Sequence, residues 1–327
     1  MGLSLIHIFI MENTATKLRV IYGDCTLGLK GKGFHYIFSY TRGGMESLNK
    51  NGKEWLYRET LPTFWRALTD NDRGNGFGYR SSVWLGAGKY PKVKQIQVKI
   101  EDTAIELPIA PVNNQYSNTE YVSSAEILFT LEYNTVPKTE VVVSYRINVL
   151  GEIKVNVVYH GQKGVPELPL LGIRFIMPTQ ATSFTYEGLS GETYPDRMAG
   201  GVEGIYKITG LPVTPYLVPQ DCGVHMKTKW VEITRDTTLS NVEKEKEKFS
   251  LRFEQVTGDF AFSALPYTAE ELENATHREE LPPARRTVLT MLGRVRGVGG
   301  INSWGADVED DYHISGEEDH EFSFVIK

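Results

Sequence analysis

Alternation with a period of two restricts this chain more than any other feature. Val141, Val143, Tyr145, Ile147 and Val149 alternate with Val142, Ser144, Arg146 and Asn148; after a Leu150-Gly151-Glu152 turn, Ile153, Val155 and Val157 resume against Lys154 and Asn156. A helix would spread these side chains around its axis, whereas an extended strand puts every second one on a single face. The run therefore predicts a long antiparallel hairpin with one buried face. Ile96, Val98 and Ile100 repeat the pattern upstream, and Phe322, Phe324 and Ile326 repeat it at the end. With 31 glycines and 15 prolines spread over 327 residues, turns are available at every few strands. A β-sandwich is the expected class.

One helix is readable. Thr268 and Glu271 form a capping box, Tyr267 and Leu272 occupy the staple positions, and Pro282-Pro283 bars continuation. Residues 107–120 carry no period and read as a surface loop. The run Glu243 to Lys248 alternates in sign, as a solvated turn or edge strand does. A net charge of −6 with interleaved acids and bases argues against nucleic acid as a partner. Cys25 and Cys222 are far apart and outside any Cys-x-x-Cys, which predicts reduced thiols and a cytoplasmic protein. The apolar stretch 1–10 is too short to cross a bilayer and lacks a basic flank and a cleavage site. It reads as an appended extension, leaving 11–327 as the folded domain and no membrane as a partner.

Four segments stand apart from the alternation. Leu61 to Gly74 joins a strand-like entry, Trp65, Arg66 and an Asp70-Asn71-Asp72 turn, then runs on through Gly76 and Gly78. It fails as a calcium loop, because the positions that need a ligand, a glycine and a glutamate hold Gly74, Asn75 and Ser81. It fails as a dinucleotide fingerprint for want of a βαβ context. What remains is an Asx-turn network or a mobile loop beside a site. Tyr186 to Arg197 reads as a structured loop, with Asp196 and Arg197 as an internal ion pair. Pro215 to Gly223 reads as an extended path fixed by proline. Gly297 to Gly305 sets Trp304 among glycines, either as a core residue or as a flat face on which a sugar ring could stack. Neither Glu187 with Glu192 nor the Glu309-Asp310-Asp311 cluster makes a self-sufficient acid/nucleophile pair of the kind retaining glycosidases need. The histidines show no metal spacing.

Taken together, FWRALTDNDRG (64–74), EGLSGETYPDRMAG (187–200), PYLVPQDCG (215–223) and RGVGGINSWG (296–305) resemble, in order and spacing, successive segments of one domain. That domain is the C-terminal domain of the β-galactosidases of glycoside hydrolase family 2, and the similarity covers roughly residues 17–327. The resemblance implies an all-β fold, a large antiparallel β-supersandwich with one or two short helices. It implies hydrolysis of terminal β-D-galactosides such as lactose with retention, by glutamates on a TIM barrel in another chain. No catalytic residue is then expected here, and the isolated chain should be inactive. Starting afresh at Met11, the chain resembles the small subunit of the two-subunit enzymes, with a large subunit as partner. Trp304 matches the tryptophan that lines the family's substrate cleft, and Gly74, Asn75, Gly76, Phe77 and Gly78 match a loop that moves beside it. Arg66, Asp70, Asp72, Asp196 and Arg197 are expected to hold the turns. No metal site is expected in this chain, since sodium and magnesium ligands belong mainly to the missing portion. Two alternatives stay open: a stand-alone carbohydrate-binding sandwich, and the excised end of one longer enzyme.

Overall fold

A computed structural model describes residues 17–108, 111–116, 120–243, 246–302 and 304–327. The extension proposed over 1–10, part of the 107–120 loop, part of the 243–248 charge run and Ser303 lie outside the described residues. The hairpin read from the alternation is present, with Thr139–Asn148 paired antiparallel to Ile153–His160. Gly151 takes the left-handed conformation at the turn (φ +76), and Asn148 Oδ1 accepts the amides of Leu150 and Glu152 at 3.0 and 3.1 Å.

This hairpin is the middle of a ten-stranded sheet. In spatial order its strands are Glu203–Thr209, Ser183–Leu189, Trp230–Arg235, Phe249–Gln255, His320–Ile326, Ile153–His160, Thr139–Asn148, Ser124–Tyr133, Lys92–Ile100 and Thr103–Ile105. Two shorter sheets face it. A six-stranded one carries Phe38, whose ring lies 5.2 Å from that of Tyr145. A five-stranded one carries Phe175, 5.2 Å from Phe253 and 6.1 Å from Phe324. Tyr145, Phe253 and Phe324 all point from the same face of the long sheet, so one continuous core is shared by all three sheets. The Tyr145 hydroxyl, which burial would otherwise leave unpaired, lies 2.7 Å from Thr60 Oγ1.

Among the described residues there are four short α-helices where one or two were expected: α1 (Asp70–Asn75), α2 (Phe77–Arg80), α3 (Val83–Ala87) and α4 (Ala269–Asn274). The last is the one read from the sequence, with both capping-box bonds made, Glu271 N to Thr268 Oγ1 at 3.2 Å and Thr268 N to Glu271 Oε2 at 2.7 Å. The first two replace the expected turn and glycine loop, and α3 follows them. Thr69 and Asp72 form a second capping box, at 3.1 and 3.0 Å, which starts α1 on the Asp-Asn-Asp stretch. Gly76, at φ +75, ends α1 and opens α2. Burial of Phe77 and Trp84 holds the following turns down. A further difference is at Tyr186–Leu189, expected as loop but forming the end of a strand. Phe184 and Tyr186 face the core there, an alternation that Gly188 hides.

Candidate functional site

The four unusual segments meet at one place. Arg66, entering from the strand Leu61–Thr63, is fully buried and clasps Asp72 of α1: Nη1 lies 3.0 Å from Oδ2, and Nη2 donates to Oδ1 at 3.1 Å. The same Nη2 donates to the Gly297 carbonyl at 3.0 Å, tying the first segment to the fourth. Arg296, equally buried, donates from Nη1 to the same Asp72 Oδ1 at 3.2 Å and from Nε to Glu167 at 3.1 Å. Its Nη2 donates to Asp307, and its guanidinium lies 4.0 Å from the centre of the Phe77 ring. One carboxylate between two arginines thus joins α1 to the glycine-rich loop.

The other segments clamp that loop. Asp196 accepts the amides of Val298 at 3.0 Å and Gly299 at 2.8 Å, and Arg197 donates to the Gly299 carbonyl. The Asp196–Arg197 ion pair itself is long, 3.8 Å, so Asp196 acts chiefly as an anchor for backbone N–H groups. Asn71 donates to the Val298 carbonyl at 2.9 Å. From the third segment, Gln220 Oε1 accepts the Asp70 amide at 3.0 Å, and Asp221 accepts the Tyr194 hydroxyl at 2.8 Å. Asp307 receives Asn75 Nδ2 at 3.1 Å and Arg80 Nη2 at 2.7 Å, which fastens α1 and α2 to the far side of the loop. Gly74 and Gly305 touch backbone to backbone. Gly305 has φ +80, and a Cβ on it would stand 2.7 Å from the Gly74 carbonyl oxygen.

Burial and charge oppose each other throughout. Burial pushes the Arg66 guanidinium down, but Asp72, Asp221, Tyr194 and Asp196 together carry it above its ordinary value. Burial pushes the Asp221 carboxyl up to about 6 against the pull of Arg66. Asp307 loses solvent too, yet its bond from Arg296 holds it below the ordinary carboxylate range. The carboxylates gathered here are therefore engaged with guanidinium groups, hydroxyls and amides.

Trp304 stands outside this network with 91% of its surface exposed, so it is no core residue of this chain. Its amide donates to Asn302 Oδ1 at 2.9 Å, and the Ala306 amide donates to the same oxygen at 3.2 Å. Asn302 thus shapes the tip that displays the indole. Ile301 on the same loop and Tyr79 on α2 are also exposed. Two clefts of about 450 and 540 Å³ open elsewhere, beside Arg174 and beside Tyr216, and Trp304 lines neither.

Every residue singled out in the sequence for a structural role, Arg66, Asp70, Asp72, Asp196 and Arg197, lies in or against this cluster. Gly74 and Asn75 lie in it in α1, Phe77 and Gly78 in α2, and Gly76 as the turn between them, with Phe77 buried. Sequence reasoning missed Glu167, Arg296, Asp307, Gln220 and Asn302 as participants. Arg296, Gln220 and Asn302 sat within the segments already marked and could have been suspected; nothing local distinguishes Glu167 or Asp307 from other acids.

Known proteins resemble this chain over nearly its whole length. A family model described as β-galactosidase small chain matches residues 30–326. The β-galactosidase small subunit of Latilactobacillus sakei is 58% identical over 316 residues, covering 97% of this chain and 99% of that protein. The β-galactosidases of Streptococcus thermophilus and Lactobacillus delbrueckii subsp. bulgaricus are 31% and 33% identical, over 98% and 94% of this chain. The chain spans only 29% and 28% of those two longer relatives. Matched along nearly its whole length, the chain belongs to the β-galactosidase small-chain family.

Proposed function

We propose that this chain acts as the small subunit of a heteromeric β-galactosidase and supplies one wall of a cleft completed by a large subunit. The observation that carries the reading is Trp304: a large, exposed indole at the tip of a loop fixed by two buried arginines, two helical turns and an aspartate clamp. Evolving such support for a ring in open water makes sense if the ring meets a ligand. Its flat face suits the apolar side of a galactosyl ring.

Hydrolysis with retention needs one carboxylate as nucleophile and another as acid, roughly 5 Å apart across the scissile bond. Asp72, Asp196 and Asp307 are committed to arginines and amides, which leaves that pair to the glutamates of the large subunit. The role of this chain is then to bind and orient a terminal β-D-galactoside such as lactose, and to exclude water from one side. The same commitments make these carboxylates poor ligands for sodium or magnesium, so such ions would belong to the large subunit. Gly76, left-handed between α1 and α2, would be the pivot if the 74–80 stretch moves on substrate binding. Cys25 is exposed and Cys222 buried, both as free thiols, which supports a reducing, cytoplasmic setting. No helix among the described residues is long and apolar enough to cross a membrane.

The test is reconstitution. Nitrophenyl-galactoside hydrolysis is measured for this chain, for a candidate large subunit, and for their mixture. Turnover that requires both chains supports the reading. Turnover by this chain alone, or a large subunit fully active without it, refutes it.

A further inference from the structure

The ten-stranded sheet ends on an open edge. Glu203–Thr209 pairs on one side with Ser183–Leu189 and, among the described residues, has no strand on the other. The pairing fixes which backbone groups are free. Ser190 N donates to the Val202 carbonyl and Gly210 N to the Thr182 carbonyl, so even-numbered residues point their N–H and C=O groups inward to the sheet. Glu203, Ile205, Lys207 and Thr209 point theirs outward. Their side chains are also the exposed ones, with Ile205 66% exposed despite being aliphatic. A seven-residue strand with one free edge and an exposed isoleucine at the centre forms a template for another strand.

We infer that this edge pairs antiparallel with the same edge of a second copy of the chain, joining two ten-stranded sheets across a two-fold axis. The side chains select one register. With Ile205 opposite Ile205, Glu203 of each copy faces Lys207 of the other, so the opposite-charge pair forms twice. Gly204 then faces Tyr206 of the second copy, and Val202 faces Ile208. Shifting by two residues in either direction loses the charge pairs, setting Ile205 against Lys207 or against Glu203. Shifting further toward the start sets Glu203 against Glu203, and toward the end Lys207 against Lys207. Outward residues meet outward residues in the favoured register, as a hydrogen-bonded antiparallel ladder requires. Glu203 and Lys207 thus set the register of an edge that would otherwise be sticky without direction. This surface is distinct from the Trp304 site, so its use does not depend on the catalytic reading.

The experiment is sedimentation of the full chain over a concentration series, with Glu203→Lys, Lys207→Glu and the double exchange. The parent is expected to approach twice its 36.8 kDa mass. Each single exchange sets like charges opposite one another twice, and should weaken the dimer roughly tenfold or more. The double exchange should restore it, which a merely structural loss would not do. Far-ultraviolet dichroism checks that every variant is folded. A monomeric parent, a dimer indifferent to the single exchanges, or a double exchange that fails to rescue would each overturn the inference. So would single exchanges that abolish binding of the large subunit instead, since the edge would then belong to the heteromeric contact.

Discussion

Asp72→Asn should be among the most damaging single changes in this protein. The Asp72 side chain is 1% exposed and lies between two guanidinium groups with no exposed surface. Asparagine keeps its volume, so no cavity opens. It removes the negative charge and turns one acceptor into a donor that faces an arginine. Breaking a buried ion pair from one side costs about 3–5 kcal/mol, because the remaining charge stays buried without its counterpart. Arg296 keeps Glu167 and Asp307, while Arg66 keeps only the Gly297 carbonyl at close range, so Arg66 bears most of the loss. The control is Thr69→Ala. It removes one capping bond and leaves both arginines satisfied, for about 1 kcal/mol. Urea unfolding of the free chain, followed by the fluorescence of its five tryptophans and checked by far-ultraviolet dichroism, gives both values. A Thr69→Ala variant less stable than Asp72→Asn, or an Asp72→Asn loss below about 1 kcal/mol, would show that the cluster does not hold the fold as argued.

Trp304→Ala should leave the stability of the free chain within about 0.5 kcal/mol, because the ring packs on little, while raising KM and lowering kcat of the reconstituted enzyme. A melting point far below the parent's would contradict the first half, and unchanged kinetics the second. Gly305→Ala should cost at least about 1 kcal/mol and loosen α1 from the loop, since it forces φ +80 on an alanine and drives its Cβ against the Gly74 carbonyl; hydrogen exchange of the 70–80 amides would report the loosening. His225 is buried on the ring of Phe262, and burial lowers its pKa from 6.5 to about 4. A depressed imidazole contributes stability that is present above pH 6.5 and lost as pH falls towards 4, by roughly 3 kcal/mol if the whole shift is realised. Asp221 works in the opposite sense over part of that range, so the readout is the difference between parent and His225→Phe, which should flatten the acid loss. Identical pH profiles for the two would dismiss this assignment.

The sandwich was legible because the alternation of Val141 to Ile147 and Ile153 to Val157 is a local signal that burial of one face enforces along each strand. The α4 capping box was legible for the same reason. Thr69-x-x-Asp72 carries a similar signal and went unused, because Asp70 and Asp72 looked like turn residues and the glycines after them like a loop. Phe77 and Trp84 decide for helix there, and their burial is a property of the assembled core. While the sequence left Trp304 open between core and surface, the cluster was legible as four odd segments. How they join was not, since Arg66 reaches Gly297 and Arg296 reaches Asp72 across more than two hundred residues. Glu167 stands 129 residues from the arginine it serves, and only the fold brings it there.

Trp304 is expected to meet sugar only when the large subunit completes the cleft. Fluorine spectroscopy of the chain labelled with 5-fluorotryptophan reports on this directly, with the Trp304 signal identified by its absence in Trp304→Phe. A non-hydrolysable galactoside should shift this signal in the heteromer and leave it unmoved in the free chain. A shift of equal size in the free chain would make the protein a sugar-binding module in its own right. No shift in an active heteromer would remove Trp304 from the substrate cleft.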